Sequence, residues 1–178
     1  MEEEKKKRQI FYSFHFAQDF WRTQQVRNIG VIEGDKPVSV NEWEEIKRKG
    51  DDSIKKWIEE NLKYKSCIVV LVGTETANRK WVIYEIERAW NLEKGVVGIR
   101  IHNLKDQNGN TTYQGSNPFD NLTMSHDIKR LSALVKLYNP STIYSSDYSL
   151  TESQAAYRNI SDNIEKWIEE AIKIRNSF

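Results

Sequence analysis

Between Cys67 and Trp90 the chain reads CIVVLVGTETANRKWVIYEIERAW, an order of residues that leaves little choice of local structure. Ile68 to Val72 are unbroken apolar and mostly β-branched, the pattern of a strand buried on both faces. Gly73 and a polar turn stop it, and Val82, Ile86 and Ala89 then recur at the three- and four-residue steps of a helix's inward stripe. Strand, turn, helix in that order sets the first helical turns near the carboxyl end of the sheet, where open α/β folds take their ligands. Trp81 and Glu85, four apart, lie one above the other at the edge of that stripe. A carboxylate is thereby held against an aromatic wall.

The flanking segments read as support for this corner. Gln9 to Phe16 predicts a first strand, with Ile10, Tyr12, Phe14 and Phe16 on one face and Ser13 and His15 on the other. Asp19 is the expected N-cap of a helix over Phe20 to Ile29, stopped by Gly30. From Val31 to Glu45 the signals conflict: Gly34, Asp35 and Pro37 make a turn, Val38 to Val40 could form a short strand, and Asn41 could cap a helical turn. Asp51 to Lys63 is an amphipathic helix with Ile54, Trp57, Ile58 and Leu62 on one stripe, and Val96 to Ile101 is a further strand after Gly95. Strands separated by helices require a parallel sheet, and right-handed crossovers place helices on both of its faces. The expected fold is therefore α/β, a flavodoxin-like three-layer sandwich. Asn103 to Asp127 is a long polar loop able to lie over the sheet's end, Leu131 to Tyr138 supplies a last strand, and Thr151 with Gln154 opens a closing helix over 151–178.

With 178 residues the chain suits one domain, preceded by a charged leader over residues 1–7. Lys and Arg number 27 against 26 Asp and Glu, so no field of one sign points to nucleic acid or to a membrane surface. No apolar run is long enough to span a bilayer, and Cys67, the single cysteine, has no partner for an internal disulfide. Both suit a cytoplasmic protein, with Cys67 a buried thiol rather than a nucleophile. Six tryptophans are a rich supply for this length. Trp57 and Trp167 fit core positions at helical spacing, and other aromatics on polar faces are free to stack on a ligand.

Several chemistries are excluded. GTETANRKW lacks the Gly-Lys-Ser/Thr ending of a phosphate loop, and no G-x-G-x-x-G occurs. His15, His102 and His126 have no metal-ligand spacing with one another or with Cys67, so no metal site is expected, and the first strand ends without the acidic pair of a phosphorylated receiver. What survives is Glu85, Trp81 and the Ser13-Phe14-His15 strand end. One carboxylate suits cleavage of an N-glycosidic bond to a pyridinium: the leaving group departs neutral, no general acid is needed, and the acid's charge stabilises the ribosyl cation. Patterning alone fits equally a solvated Glu85 paired with Arg79 or Arg88.

The first strand IFYSFHF resembles the opening strand of TIR and TIR-like domains, and Trp81-Val82-Ile83-Tyr84-Glu85 matches their W-x-x-x-E pattern. NRKWVIYEI, VVGIRIHNLKD and GSNPFDNL are similar, more narrowly, to TIR-like subunits of the Thoeris antiphage defence system, over Arg8 to about Leu122. The resemblance implies a TIR-like fold and an enzyme of NAD⁺ glycohydrolase or ADP-ribosyl cyclase type. NAD⁺ is then its substrate, no other cofactor is required, and a cyclic ADP-ribose isomer is the diffusible signal for a downstream effector. It implies Glu85 as the catalytic residue and Trp81, Phe14, Ser13 and His15 as the substrate-binding surroundings, with self-assembly a route to activation. Two other readings stay open: a non-catalytic TIR-like interaction module, and an enzyme resembling nucleoside deoxyribosyltransferases, which use a glutamate as nucleophile.

Overall fold

The computed structural model describes residues 6–124, 129–144 and 146–178; the start of the charged leader, His126 and Asp127 lie outside them. Four parallel strands, β1 (Ile10–Phe14), β2 (Cys67–Val72), β3 (Gly95–Arg100) and β4 (Leu137–Tyr138), stand side by side in that order. Beyond β1 the sheet is extended by a single parallel bridge from Gln9 to Glu33. The chain therefore leaves β1 toward the Glu33 edge and returns to the opposite side of β1 as β2. That reversal makes the carboxyl end of β1 a topological switch point, where the connections diverge and leave a crevice.

The helices are α1 (Phe16–Arg27), α2 (Val40–Arg48), α3 (Asp51–Leu62), α4 (Lys80–Asn91) and α5 (Glu152–Asn176). Strict alternation along β2 builds two cores. Cys67, Val69 and Leu71 face Val26 of α1 and Ile160, Ile164 and Ile168 of α5, whereas Ile68, Val70 and Val72 face Ile54 and Ile58 of α3 and Val82 and Ile86 of α4. The three-layer α/β sandwich of flavodoxin-like type is thus formed, with burial of each such aliphatic side chain contributing about 1.5–3 kcal/mol. Thr151 and Gln154 form the expected capping box on α5, and Trp167 is buried against Tyr138, their rings stacked 4.3 Å apart. Among the described residues no helix is long and apolar enough to cross a membrane.

The structure corrects the sequence reading in three places. β1 ends at Phe14 and Phe16 already belongs to α1, whose N-cap is His15 rather than Asp19. Asp19 is engaged elsewhere: it is buried, pairs with Arg22 at 3.1 Å, and occupies the space beside Gly73 where a Cβ would stand 2.1 Å from its carboxylate. Val38 to Val40 form no strand, because Ser39 and Glu42 make a complete capping box that starts α2 there. The last strand shrinks to Leu137–Tyr138, since Leu131–Ala133 wind into a 3₁₀ turn that buries Leu131.

The long loop does lie over the sheet's end. Buried Arg22 donates to the Leu104 and Asn110 carbonyls at 2.7 and 2.9 Å, Thr74 Oγ1 to the Tyr113 carbonyl at 2.6 Å, and Arg100 to the Gly115 carbonyl at 2.5 Å. Phe119 and Leu122 are buried in the α3/α4 core. Through residue 124 this segment is a fixed cover over the ends of β2 and β3, beside the crevice and not across it.

Candidate active site

A cavity of about 370 Å³ opens at the switch point, between the carboxyl end of β1, the 34–43 segment, α3 and the start of α4. Glu85 and Ser13 meet at its floor, the Ser13 hydroxyl donating to Glu85 Oε2. Their meeting follows from register: Ser13 is the fourth residue of β1, with its side chain on the face that α4 covers, and Glu85 is on the buried stripe of α4 beside Val82 and Ile86. Glu85 is only 7% exposed, and Ser13 is fully buried. Burial pushes the Glu85 carboxyl up to about 8; the Ser13 hydrogen bond pulls it down and the charge of Asp35 pushes it up further. At neutral pH Glu85 thus holds its proton.

The walls are aromatic. Phe14 stacks on Phe16 at 5.8 Å, Phe16 on Trp43 at 5.9 Å, Trp43 meets Trp57 edge-on at 5.7 Å, and Trp57 meets Phe11 at 6.0 Å. Trp81 closes the other side, edge-on to Tyr84 and covered by Lys80 Nζ at 4.7 Å from its ring. A flat, electron-poor ring finds stacking partners here. His15 lines the cavity mouth with an imidazole pushed down by burial and by the Arg79 guanidinium, hence neutral at pH 7.

All five residues picked from the sequence, Glu85, Trp81, Ser13, Phe14 and His15, converge on this cavity, the four others lining it and Ser13 reaching it through its bond to Glu85. Sequence reasoning missed Trp43, Phe16 and the buried pair Arg27–Asp35. It also set Trp57 in the core, whereas that ring is half-buried and forms cavity wall. A signal for Trp43 was present, since it is a large aromatic in a weakly patterned stretch, whereas Phe16 was absorbed into the strand alternation. Asp35 carried none, because an Asp in a Gly-Asp-Lys-Pro turn is already explained by turn chemistry. Among the described residues no group of three or more His, Cys, Asp or Glu is arranged to hold a metal ion.

With the geometry in view, comparison with known proteins becomes decisive. Residues 11–106, more than half of the chain and the whole of the cavity's framework from β1 to the end of β3, match the family described as Thoeris protein ThsB, TIR-like domain. The chain belongs to the ThsB TIR-like family. It is also 37% identical over 123 residues to a protein of Bacillus cereus (strain MSX-D12) named "Putative cyclic ADP-D-ribose synthase ThsB1". That match covers 65% of this chain and 62% of the relative, so the chain spans somewhat under two thirds of the relative's length. The ThsB match takes in Ser13, Phe14, His15, Trp81 and Glu85 together with Trp43, Trp57 and Asp35, which are the residues that build the cavity.

Proposed function

We propose that this ThsB-family chain cleaves NAD⁺ at the nicotinamide–ribose bond and makes a cyclic ADP-ribose isomer, the diffusible nucleotide signal of an antiphage response. The observation that carries the reading is a buried glutamate on the floor of an aromatic-walled cavity at the switch point of a parallel sheet. The name of the B. cereus relative supports it.

Nicotinamide in NAD⁺ is a flat pyridinium, matched to the Phe14, Phe16, Trp43 and Trp81 walls. A 370 Å³ cavity is near the small end for ligand sites and suits the nicotinamide ribose, with the remaining half of the dinucleotide leaving past the mouth. Lys47 and Lys80 stand there, each paired with an exposed acid, Glu44 or Asp51, that a phosphate can replace.

Arrival of the pyridinium charge beside Glu85 favours the glutamate's ionised form, so substrate binding itself readies the acid. The C1′–N bond then breaks with its electron pair going to the ring nitrogen, which neutralises the pyridinium and releases nicotinamide without an acid's help. The ribosyl cation left behind is stabilised by the Glu85 carboxylate, and Ser13 fixes that carboxylate's orientation. Capture by a nucleophilic atom of the same ADP-ribose, with loss of its proton, closes the ring; capture by water gives linear ADP-ribose. Aromatic walls and a small hollow disfavour water and so favour closure.

In this reading no cofactor is consumed besides NAD⁺ as substrate, catalysis belongs to Glu85, and Trp81, Phe14, Ser13 and His15 bind. The chain works as one TIR-like unit in the cytoplasm, a separate effector receives the signal, and self-association accompanies activation.

The test is purified chain incubated in parallel with NAD⁺ and with deoxynucleosides, products being separated by chromatography. The expected outcome is nicotinamide and a cyclic nucleotide from NAD⁺ alone, lost in Glu85→Gln. Turnover of deoxynucleosides instead, or nicotinamide release undiminished in Glu85→Gln, would refute it.

A further inference from the structure

The cavity holds a second buried carboxylate. Asp35, 4% exposed, lies in the turn between the Glu33 bridge and α2. Three contacts fix it: Oδ1 accepts the Tyr12 backbone N–H at 2.9 Å, the same oxygen is 3.5 Å from Arg27 Nη2, and Arg27 Nη1 donates to the Asp35 carbonyl at 2.6 Å. Tyr12 and Ser13 are neighbours in β1, so adjacent residues of one strand hold the two acids, Tyr12 through its main chain and Ser13 through its hydroxyl.

The two are held unequally. Burial raises the Asp35 carboxyl, while the Arg27 guanidinium and the Tyr12 amide pull it back toward the charged form. Glu85 has one hydroxyl and, among the described residues, no cation in an ion pair with it. Of two carboxylates in one low-dielectric hollow, the one paired with a cation ionises first and the other keeps its proton.

We propose that Asp35 is a positioning residue that acts through Glu85: held by the Tyr12 N–H and paired with Arg27, its carboxylate lines the same cavity and opposes ionisation of the glutamate. The other charged groups facing the cavity do not compete for this role. Lys47, Arg79 and Lys80 each have an acid of their own, Glu44, Glu75 and Asp51. His15 is held neutral by burial and by Arg79, burial also raises the Tyr12 phenol, and Lys65 acts on Asp35 only at a distance. The 33–38 segment thereby sets how readily Glu85 ionises, and a change in that segment changes the pH at which the site becomes competent. The functional consequence rests on Glu85 as the catalytic acid; the coupling itself does not, because it concerns only the titration of Glu85.

The experiment is a pH titration of the ¹³C-labelled Glu85 carboxyl by NMR in the full chain, as wild type, Asp35→Asn, Asp35→Ala and Ser13→Ala, with folding verified by thermal melts. Asparagine keeps an oxygen for the Tyr12 N–H, and alanine supplies a second replacement with different packing. Both Asp35 variants are expected to lower the Glu85 midpoint by about one pH unit, ~10-fold in its acid constant, and Ser13→Ala to raise it. The rising limb of kcat/KM against pH is expected to move with the Glu85 midpoint in the Asp35 variants, whereas a merely structural role would scale activity equally at every pH. A Glu85 midpoint unmoved or raised in both Asp35 variants would overturn the proposal. A Glu85 midpoint lowered in both Asp35 variants, beside a wild type that leaves NAD⁺ intact, would instead keep the coupling and refute the enzymatic reading.

Discussion

Glu85 shows how far a single side chain departs from its sequence impression. Spacing placed it at the edge of the inward stripe, and the fold turns it fully inward, because α4 packs across β1 as well as β2 and Ser13 waits there with a donor. Its carboxyl is raised from 4.5 to about 8, chiefly by burial. In that window the native chain keeps a proton that the unfolded chain has released, so the Glu85 contribution to stability is full below about 4.5 and is lost as pH rises through about 8. Glutamine is a neutral mimic of the protonated acid and escapes this loss. Thermal melts of Glu85→Gln against wild type should therefore nearly coincide below about 4.5, separate progressively in the variant's favour as pH rises from there, and keep a constant gap above about 8. Coincident melts at every pH would mean that the carboxyl is not held neutral. For the same reason kcat/KM for NAD⁺ should rise with pH toward a plateau above about 8, a limb that pH–rate measurement on the wild type resolves. A residue such as Asp35 stays hidden in sequence because its partners, Tyr12 and Arg27, come from other elements and only the folded chain assembles them.

At the scale of elements, helices and strands with a strong period were readable and the pieces tuned by tertiary contacts were not. α3, α4 and α5 carry continuous apolar stripes and fall where periodicity puts them. α2 has no buried residue, so no stripe announces it; Ser39 and Glu42 define it, and Trp43 and Ile46 tack it to the core. Ser39→Ala should cost about 1 kcal/mol locally, raise the KM for NAD⁺ because α2 carries Trp43 and Lys47 to the cavity, and barely move the global melt. Amide exchange over residues 40–48 beside a calorimetric scan measures both parts.

The long segment after β3 showed no packing signal in sequence, because polar residues with Asn-Gly and Asn-Pro turns carry none, yet buried Arg22 and the Thr74 hydroxyl of the Gly73 turn pin it. At Gly115 an added Cβ would stand 2.2 Å from the Gly73 carbonyl oxygen and 2.6 Å from that of Thr74, both main chain and unable to yield. Gly115→Ala is expected to destabilise the chain by about 1–3 kcal/mol in denaturant unfolding while leaving the aromatic walls in place.

For the whole molecule, the parallel α/β sandwich followed from strand–helix alternation alone, and the last strand was overestimated because its apolar residues serve a 3₁₀ turn and the α3/α4 core. Sequence could not reveal the reversal at β1, since a single bridge at Glu33 replaces a full edge strand. That reversal is what opens the crevice, and the crevice is what makes one buried glutamate a candidate for chemistry. The direct test is mass spectrometry of nucleotides from phage-challenged cells that express the wild-type chain or Glu85→Gln at equal abundance. The account predicts nicotinamide and a cyclic ADP-ribose isomer accumulating only with the wild type; equal nucleotide pools in the two, with the defence response intact in Glu85→Gln, would contradict it.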